Sequence, residues 1–62
     1  MSIPKDPFIL LSFINTKLRD EYSSMEDLCQ SLKLERGYIE KILSSIDYSY
    51  SRELNRFTAM IE

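Results

Sequence analysis

The side chains that could carry out catalysis are few and poorly spaced for it. The chain has no histidine and one cysteine, Cys29. Two carboxylate pairs, Asp20 with Glu21 and Glu26 with Asp27, are adjacent in the sequence. Neighbouring residues on a helix point about 100° apart, so neither pair converges on one substrate atom. A free cysteine on a helix is most often a small core residue. We therefore predict a protein that is not an enzyme, with no catalytic residue.

A second group of side chains could bind nucleic acid. The candidate contacts are Arg36, Tyr38, Lys41, Arg52 and Arg56. Arginine can read guanine in a major groove, and basic or tyrosine side chains can contact phosphates. The acidic residues Glu35, Glu40 and Glu53 lie among them and oppose a phosphate backbone. DNA binding is therefore the alternative function rather than the preferred one.

A third group of side chains could bind another protein. The candidate interface residues are Ile9, Phe13, Tyr48, Tyr50 and Phe57. Aromatic and large apolar side chains anchor interfaces when they are not all buried within one domain. They predict a protein–protein interface, with a second copy of the chain as the expected partner.

The first helix that must position these residues is predicted from Pro7 to about Tyr22. Asp6 can accept hydrogen bonds from the first backbone N–H groups, and proline is favoured at the first helical position. One apolar stripe comprises Leu10, Leu11, Ile14, Leu18 and Tyr22. Ile9 and Phe13 form a second stripe, which needs cover from the C-terminal segment or from another chain.

The middle of the chain predicts a helix-turn-helix. Ser24 can cap a helix whose apolar residues are Met25, Leu28, Cys29 and Leu32. A turn over Lys33 to Glu35 then leads to a third helix, from Arg36 to Ile46, whose apolar residues are Ile39, Ile42, Leu43 and Ile46. The second helix of such a unit often enters a DNA groove.

The C-terminal segment has two interpretations. Tyr48 and Tyr50 alternate with serines, which favours a strand, and a turn near Asn55 would return the chain as a second strand from Arg56 to Met60. Leu54, Phe57 and Ile61 also fit a helical stripe, so a fourth helix from Ser51 is the alternative. We favour the hairpin.

Size and composition limit the remaining classes. Residues 1–62 are expected to form one small domain with a net charge of −2, which gives no long-range attraction to nucleic acid or an anionic membrane. One cysteine without histidine argues against a structural zinc site, and no cofactor is expected. The run Phe8 to Ile14 is too short to span a membrane, which predicts a cytoplasmic protein. A domain this small is marginally stable alone, and dimerisation commonly stabilises such domains.

Taken as a whole, the chain resembles a bacterial family called domain of unknown function 4250. The resemblance rests on Pro4-Lys5-Asp6-Pro7, Leu10-Leu11-Ser12-Phe13, Asn15, Lys17-Leu18-Arg19-Asp20, Tyr22, Leu28-Cys29, Tyr48, Tyr50, Asn55 and Phe57. It implies a compact stand-alone bacterial protein and supplies no activity or ligand. Asp27 to Tyr50 is more loosely similar to winged-helix regulators, although Lys33 and Glu35 depart from their usual glycine and hydroxyl cap.

The sequence therefore predicts an α+β domain: a three-helix core with a helix-turn-helix-like second and third helix, then a short C-terminal β-hairpin, resembling a winged helix. The predicted function is a non-enzymatic protein interaction module, forming a homodimer through the first helix and the hairpin. A helix-turn-helix DNA-binding regulator is the alternative.

Overall fold

Three helices and a two-stranded antiparallel hairpin follow one another within residues 3–60, which the computed structural model describes. They are α1 (Pro7–Asp20), α2 (Met25–Leu32), α3 (Arg36–Ser44), β1 (Tyr48–Ser51) and β2 (Arg56–Ala59). The predicted α+β class is confirmed. α1 and α3 each end two residues before the predicted boundary, at Asp20 and Ser44.

The helix starts follow from the capping residues. The Asp6 carboxylate accepts from the backbone N–H groups of Phe8 and Ile9 at 2.9 and 3.2 Å, and Pro7 occupies the first turn. The Ser24 hydroxyl accepts from the N–H of Asp27 at 3.0 Å and caps α2. These bonds satisfy donors that a helix N-terminus leaves without partners.

The turn between α2 and α3 depends on one residue in the left-handed region. Lys33 has φ 56° and ψ 48°, and the N–H of Leu34 donates to the carbonyl of Cys29 at 2.9 Å. Such a C-terminal cap is usually glycine, although other residues occupy it. The two helices are therefore separate, as the helix-turn-helix spacing predicts.

The hairpin, rather than the fourth helix, is present. β1 and β2 pair with the register Tyr48↔Ala59, Ser49↔Thr58, Tyr50↔Phe57 and Ser51↔Arg56. Asn55 has φ 51° and closes the turn, as its tolerance of a left-handed backbone predicts. Ile61, which supported the helical alternative, lies outside the described residues.

The core combines one face of each helix with a single strand residue. Its buried members are Leu10, Ile14, Leu18, Met25, Leu28, Cys29, Ile39, Leu43 and Phe57. The first stripe of α1 is therefore correctly predicted, with Leu11 and Tyr22 half-buried at its margin. No helix within residues 3–60 has both the length and the apolar character needed to cross a membrane.

Candidate functional site

Of the side chains considered for catalysis, Asp20 and Glu21 form surface ion pairs, Glu26 and Asp27 are exposed, and Cys29 is buried. The Arg19 guanidinium donates to both Asp20 oxygens at 2.8 and 3.1 Å, which holds the pKa of that carboxyl below its usual range. Lys17 binds Glu21 at 2.7 Å. Burial raises the pKa of the Cys29 thiol, which keeps it protonated and weakly nucleophilic at neutral pH. Residues 3–60 contain no group of three or more side chains placed to hold a metal ion.

The N-terminal part of α1 exposes an uncharged face. The first ten residues of this helix, 7–16, include no acidic or basic side chain. Phe8 is 64% exposed and Ile9 is 59% exposed. Ser12 and Thr16 are also exposed, whereas Phe13 is half-buried beneath the Lys17 ammonium group, which lies 5.8 Å from its ring centroid. We define the α1 surface by its members Phe8, Ile9, Ser12, Phe13 and Thr16.

A groove separates the α1 surface from the hairpin turn. It is lined by Ser12, Asn15, Thr16, Leu18, Arg19, Leu54, Asn55 and Arg56. Leu54, which is 56% exposed, faces this groove from the turn. An apolar side chain of the hairpin therefore lies across from the exposed helix face.

Asn15 attaches β2 to α1 through both of its amide atoms. Its Oδ1 accepts from the N–H of Phe57 at 2.8 Å, and its Nδ2 donates to the carbonyl of Phe57 at 3.1 Å. The side chain thus replaces a neighbouring strand at this position. The role of Asn15 was not predicted from the sequence, where the available signal was a polar residue within an otherwise apolar stretch of helix.

Asn55 attaches the hairpin turn to the C-terminal end of α1. Its Nδ2 donates to the carbonyls of Leu18 and Tyr22 at 3.2 and 3.0 Å, and its Oδ1 accepts from the Tyr50 hydroxyl at 2.6 Å. The sequence predicted the backbone conformation of Asn55. Its hydrogen bonds to Leu18 and Tyr22 were missed because these residues lie more than thirty positions earlier in the chain.

The residues predicted as an interface are divided between two regions. Ile9 and Phe13 lie together on the α1 surface. Tyr48, Tyr50 and Phe57 share the face of the hairpin that covers the helices, and the rings of Tyr50 and Phe57 have centroids 5.6 Å apart. Phe57 is only 2% exposed, so it fills the core and offers almost no surface to a partner.

The residues predicted for nucleic acid are also divided. A second groove, between α3 and β1, is lined by Arg36, Gly37, Glu40, Lys41, Ser44, Tyr48, Ser49, Tyr50, Arg52 and Met60. We call it the α3–β1 groove. Arg36, Lys41 and Arg52 therefore lie together, whereas Arg56 lines the groove beside α1, and the 52%-exposed Tyr38 lines neither groove.

Arg36 is held in place within the α3–β1 groove. Its Nε donates to the Glu40 carboxylate at 2.8 Å, and its guanidinium carbon lies 5.5 Å from the centroid of the Tyr50 ring. The ion pair raises the pKa of Arg36 further, and the side chain stays charged. Glu40 neutralises part of the charge that Arg36 would present to a phosphate.

Comparison with known proteins identifies one family. The sequence model of that family, described as Domain of unknown function (DUF4250), matches residues 4–57. No curated protein and no solved structure matches the chain. The matched range contains the whole α1 surface and every residue of the α3–β1 groove except Met60.

Proposed function

The chain belongs to the DUF4250 family, a domain of unknown function, and from that premise we propose that it is a non-enzymatic interaction module that forms a homodimer through the α1 surface. The observation that carries the proposal is the uncharged, exposed helix face around Phe8 and Ile9. The proposal includes a cytoplasmic location in a bacterium, which the chain's resemblance and composition favour.

Exposed apolar side chains favour association because burying them removes apolar area from water. Full burial of a phenylalanine or isoleucine side chain contributes about 1.5–3 kcal/mol. Phe8 and Ile9 each expose more than half of their area. A typical interface takes about 800 Å² from each partner, or about a fifth of the 4440 Å² surface of this chain. Leu54, on the other side of the adjoining groove, adds exposed apolar area that such an interface could bury.

The chemistry of the α1 surface suits a second copy of the same chain. In a twofold dimer, residues near the axis meet their own counterparts, so a charged side chain there would face a like charge. Residues 7–16 bring no such charge. Ser12 and Thr16 are small and exposed, which permits the close approach of about 8–10 Å at which helices pack.

The dimer is tested by removing both exposed apolar groups. The double variant Phe8→Ser, Ile9→Ser removes two apolar side chains from each protomer, so we expect it to raise the dissociation constant at least about 100-fold, which corresponds to at least about 3 kcal/mol of lost apolar burial. Sedimentation equilibrium at micromolar protein concentration measures the change. The control is Tyr38→Ser, which removes another large side chain that is more than half exposed, from α3, and should leave the dimer intact.

Two results would contradict the dimer. One is a wild-type chain that sediments as a monomer throughout the concentration series. The other is a dimer that survives the double variant. Circular dichroism of each variant confirms that the helices are retained, so loss of association is not mistaken for loss of the fold.

DNA binding is the second candidate function, favoured by the position of Arg36, Lys41 and Arg52 on one groove beside a helix-turn-helix. Cations that contact phosphates release counterions, which supplies most non-specific affinity. The pairing of Arg36 with Glu40 and the separate position of Arg56 weaken this candidate.

Retention on mixed genomic DNA fragments at low salt tests the second candidate. If the groove binds DNA, the double variant Lys41→Ala, Arg52→Ala should lower retention by at least about tenfold, since two phosphate contacts are lost. The control variant Lys5→Ala, Arg19→Ala removes the same amount of positive charge from outside the α3–β1 groove. It should lower DNA retention less. No retention of the wild type, or equal losses in both variants, would exclude binding through this groove.

A further inference from the structure

The hydrogen-bonding pattern of the hairpin identifies which backbone groups of β1 point outward. The N–H of Met60 donates to the carbonyl of Asp47 at 2.7 Å, so that pair is a bonded one. Bonded and non-bonded pairs alternate along an antiparallel ladder. Tyr48 and Tyr50 therefore occupy non-bonded positions, and their N–H and C=O groups point away from β2.

The two edges of the hairpin differ in how these groups are satisfied. On the β2 edge, the outward N–H and C=O of Phe57 are both bound by Asn15. On the β1 edge, no hydrogen bond within residues 3–60 joins the backbone of Tyr48 or Tyr50 to another element. An open strand edge is a template for pairing with another extended chain.

The α3–β1 groove runs beside this open edge and has a charge opposite to that of the whole chain. Its lining includes three cations (Arg36, Lys41 and Arg52) and one carboxylate (Glu40), which gives a local charge of +2. The whole chain has a net charge of −2. Electrostatic complementarity therefore favours an acidic occupant.

We propose that the α3–β1 groove binds an extended acidic segment of a partner protein, which pairs with β1 as a third strand. In this mode the main-chain hydrogen bonds provide affinity and alternate side chains provide specificity. Acidic side chains of the segment lie near Lys41 and Arg52, and its backbone pairs with Tyr48 and Tyr50. The inference rests on the proposed role as an interaction module, but it uses a surface separate from the α1 surface.

A peptide is favoured over DNA for two reasons. The outward N–H and C=O groups of Tyr48 and Tyr50 match the spacing of a peptide backbone, and a duplex offers no such ladder. Glu40 repels a continuous row of phosphates, whereas a peptide can place an apolar or hydroxyl side chain beside it. The groove therefore selects an extended chain with separated negative charges.

The experiment uses a blocked hexapeptide of three Glu-Val repeats, titrated into the isotopically labelled protein and followed by NMR. We expect shifts of the amide signals along β1 and at Lys41. We expect the outward amides of Tyr48 and Tyr50 to exchange at least about tenfold more slowly in the complex than in the free protein, because each gains a hydrogen-bond acceptor. A Lys-Val peptide of the same length should bind at least about tenfold more weakly.

Variants separate this groove from the rest of the surface. Lys41→Ala, Arg52→Ala should weaken Glu-Val binding about tenfold, and the control Lys5→Ala, Arg19→Ala should leave it nearly unchanged. The Phe8→Ser, Ile9→Ser variant should bind the peptide normally, so failure of the dimer and failure of the groove are distinguishable.

Three outcomes would overturn the groove proposal. The first is no change along β1 in the presence of the Glu-Val peptide. The second is equal binding of the Lys-Val peptide. The third is a peptide that shifts α3 without slowing exchange at Tyr48 and Tyr50, since the segment would then not be paired as a strand. A short DNA duplex that binds the groove when the peptide does not would replace this proposal with the second candidate function.

Discussion

The variant Asn55→Ala is expected to destabilise the domain by about 3 kcal/mol, although Asn55 lies in a surface turn. Alanine would have to keep the left-handed backbone at φ 51°, which costs about 1–2 kcal/mol. The variant also removes the hydrogen bonds to Leu18, Tyr22 and Tyr50, each of which contributes about 0.5–1.5 kcal/mol. A domain of this size has roughly 3–9 kcal/mol of stability in all, so the loss is a large fraction.

Urea unfolding followed by circular dichroism measures the loss of stability. Two further variants separate the contribution of the backbone conformation from that of the side-chain hydrogen bonds. Asn55→Gly relieves the backbone strain while losing the same side-chain bonds, so it should be more stable than Asn55→Ala. Asn55→Asp keeps the acceptor for the Tyr50 hydroxyl but loses the donor to the carbonyls of Leu18 and Tyr22. If all three variants unfold at the wild-type urea concentration, the hydrogen bonds of Asn55 to Leu18 and Tyr22 do not stabilise the domain.

The variant Phe57→Ala is expected to lower the free energy of unfolding by about 3–5 kcal/mol, the usual range for a buried phenylalanine. Phe57 is the only residue of the hairpin that is buried in the core, and its ring also packs against Tyr50. Its backbone bonds to Asn15 remain possible, so the loss comes from the side chain. Thermal or urea unfolding of the variant measures it.

The same variant separates a core role from an interface role. If Phe57 acts in the core, its replacement reduces stability by a similar amount at every protein concentration, and the remaining folded protein still associates through the α1 surface. Phe57→Leu should recover more than half of the lost stability because it keeps an apolar side chain of similar reach. A stable Phe57→Ala monomer that has lost only its dimerisation would contradict the core assignment.

The local features of the fold could be predicted from short stretches of sequence. Asp6 and Ser24 indicate helix starts because their side-chain oxygens can accept hydrogen bonds from the first backbone N–H groups of a helix, and proline is favoured at the first helical position. The alternation of tyrosine with serine indicates a strand. The turn at Lys33 follows from the spacing of the apolar residues on either side. Each of these signals acts over fewer than about eight residues, the range over which a sequence pattern determines backbone conformation.

The candidate surfaces depended on contacts that no short stretch of sequence contains. Alternation predicted a strand with one buried face, but the side of Phe57 that meets the core is set by its pairing with Tyr50 and by Asn15, which lies 42 residues earlier in the chain. Arg52 begins the hairpin turn and Arg56 begins β2, and the two side chains line different grooves. Tertiary pairing, which no short stretch of sequence contains, decides which of the candidate residues share a surface.

The attachment of the last strand to the first helix has a consequence for biosynthesis. Phe57 completes the core, and Asn55 donates hydrogen bonds to the carbonyls of Leu18 and Tyr22. Neither set of contacts can be complete until residue 57 has left the ribosome. Until then the emerging chain carries an incomplete apolar cluster in need of shielding. Folding of this domain is therefore completed only after its hairpin has been synthesised, and a released chain truncated before Arg56 should be recognised by chaperones and proteases.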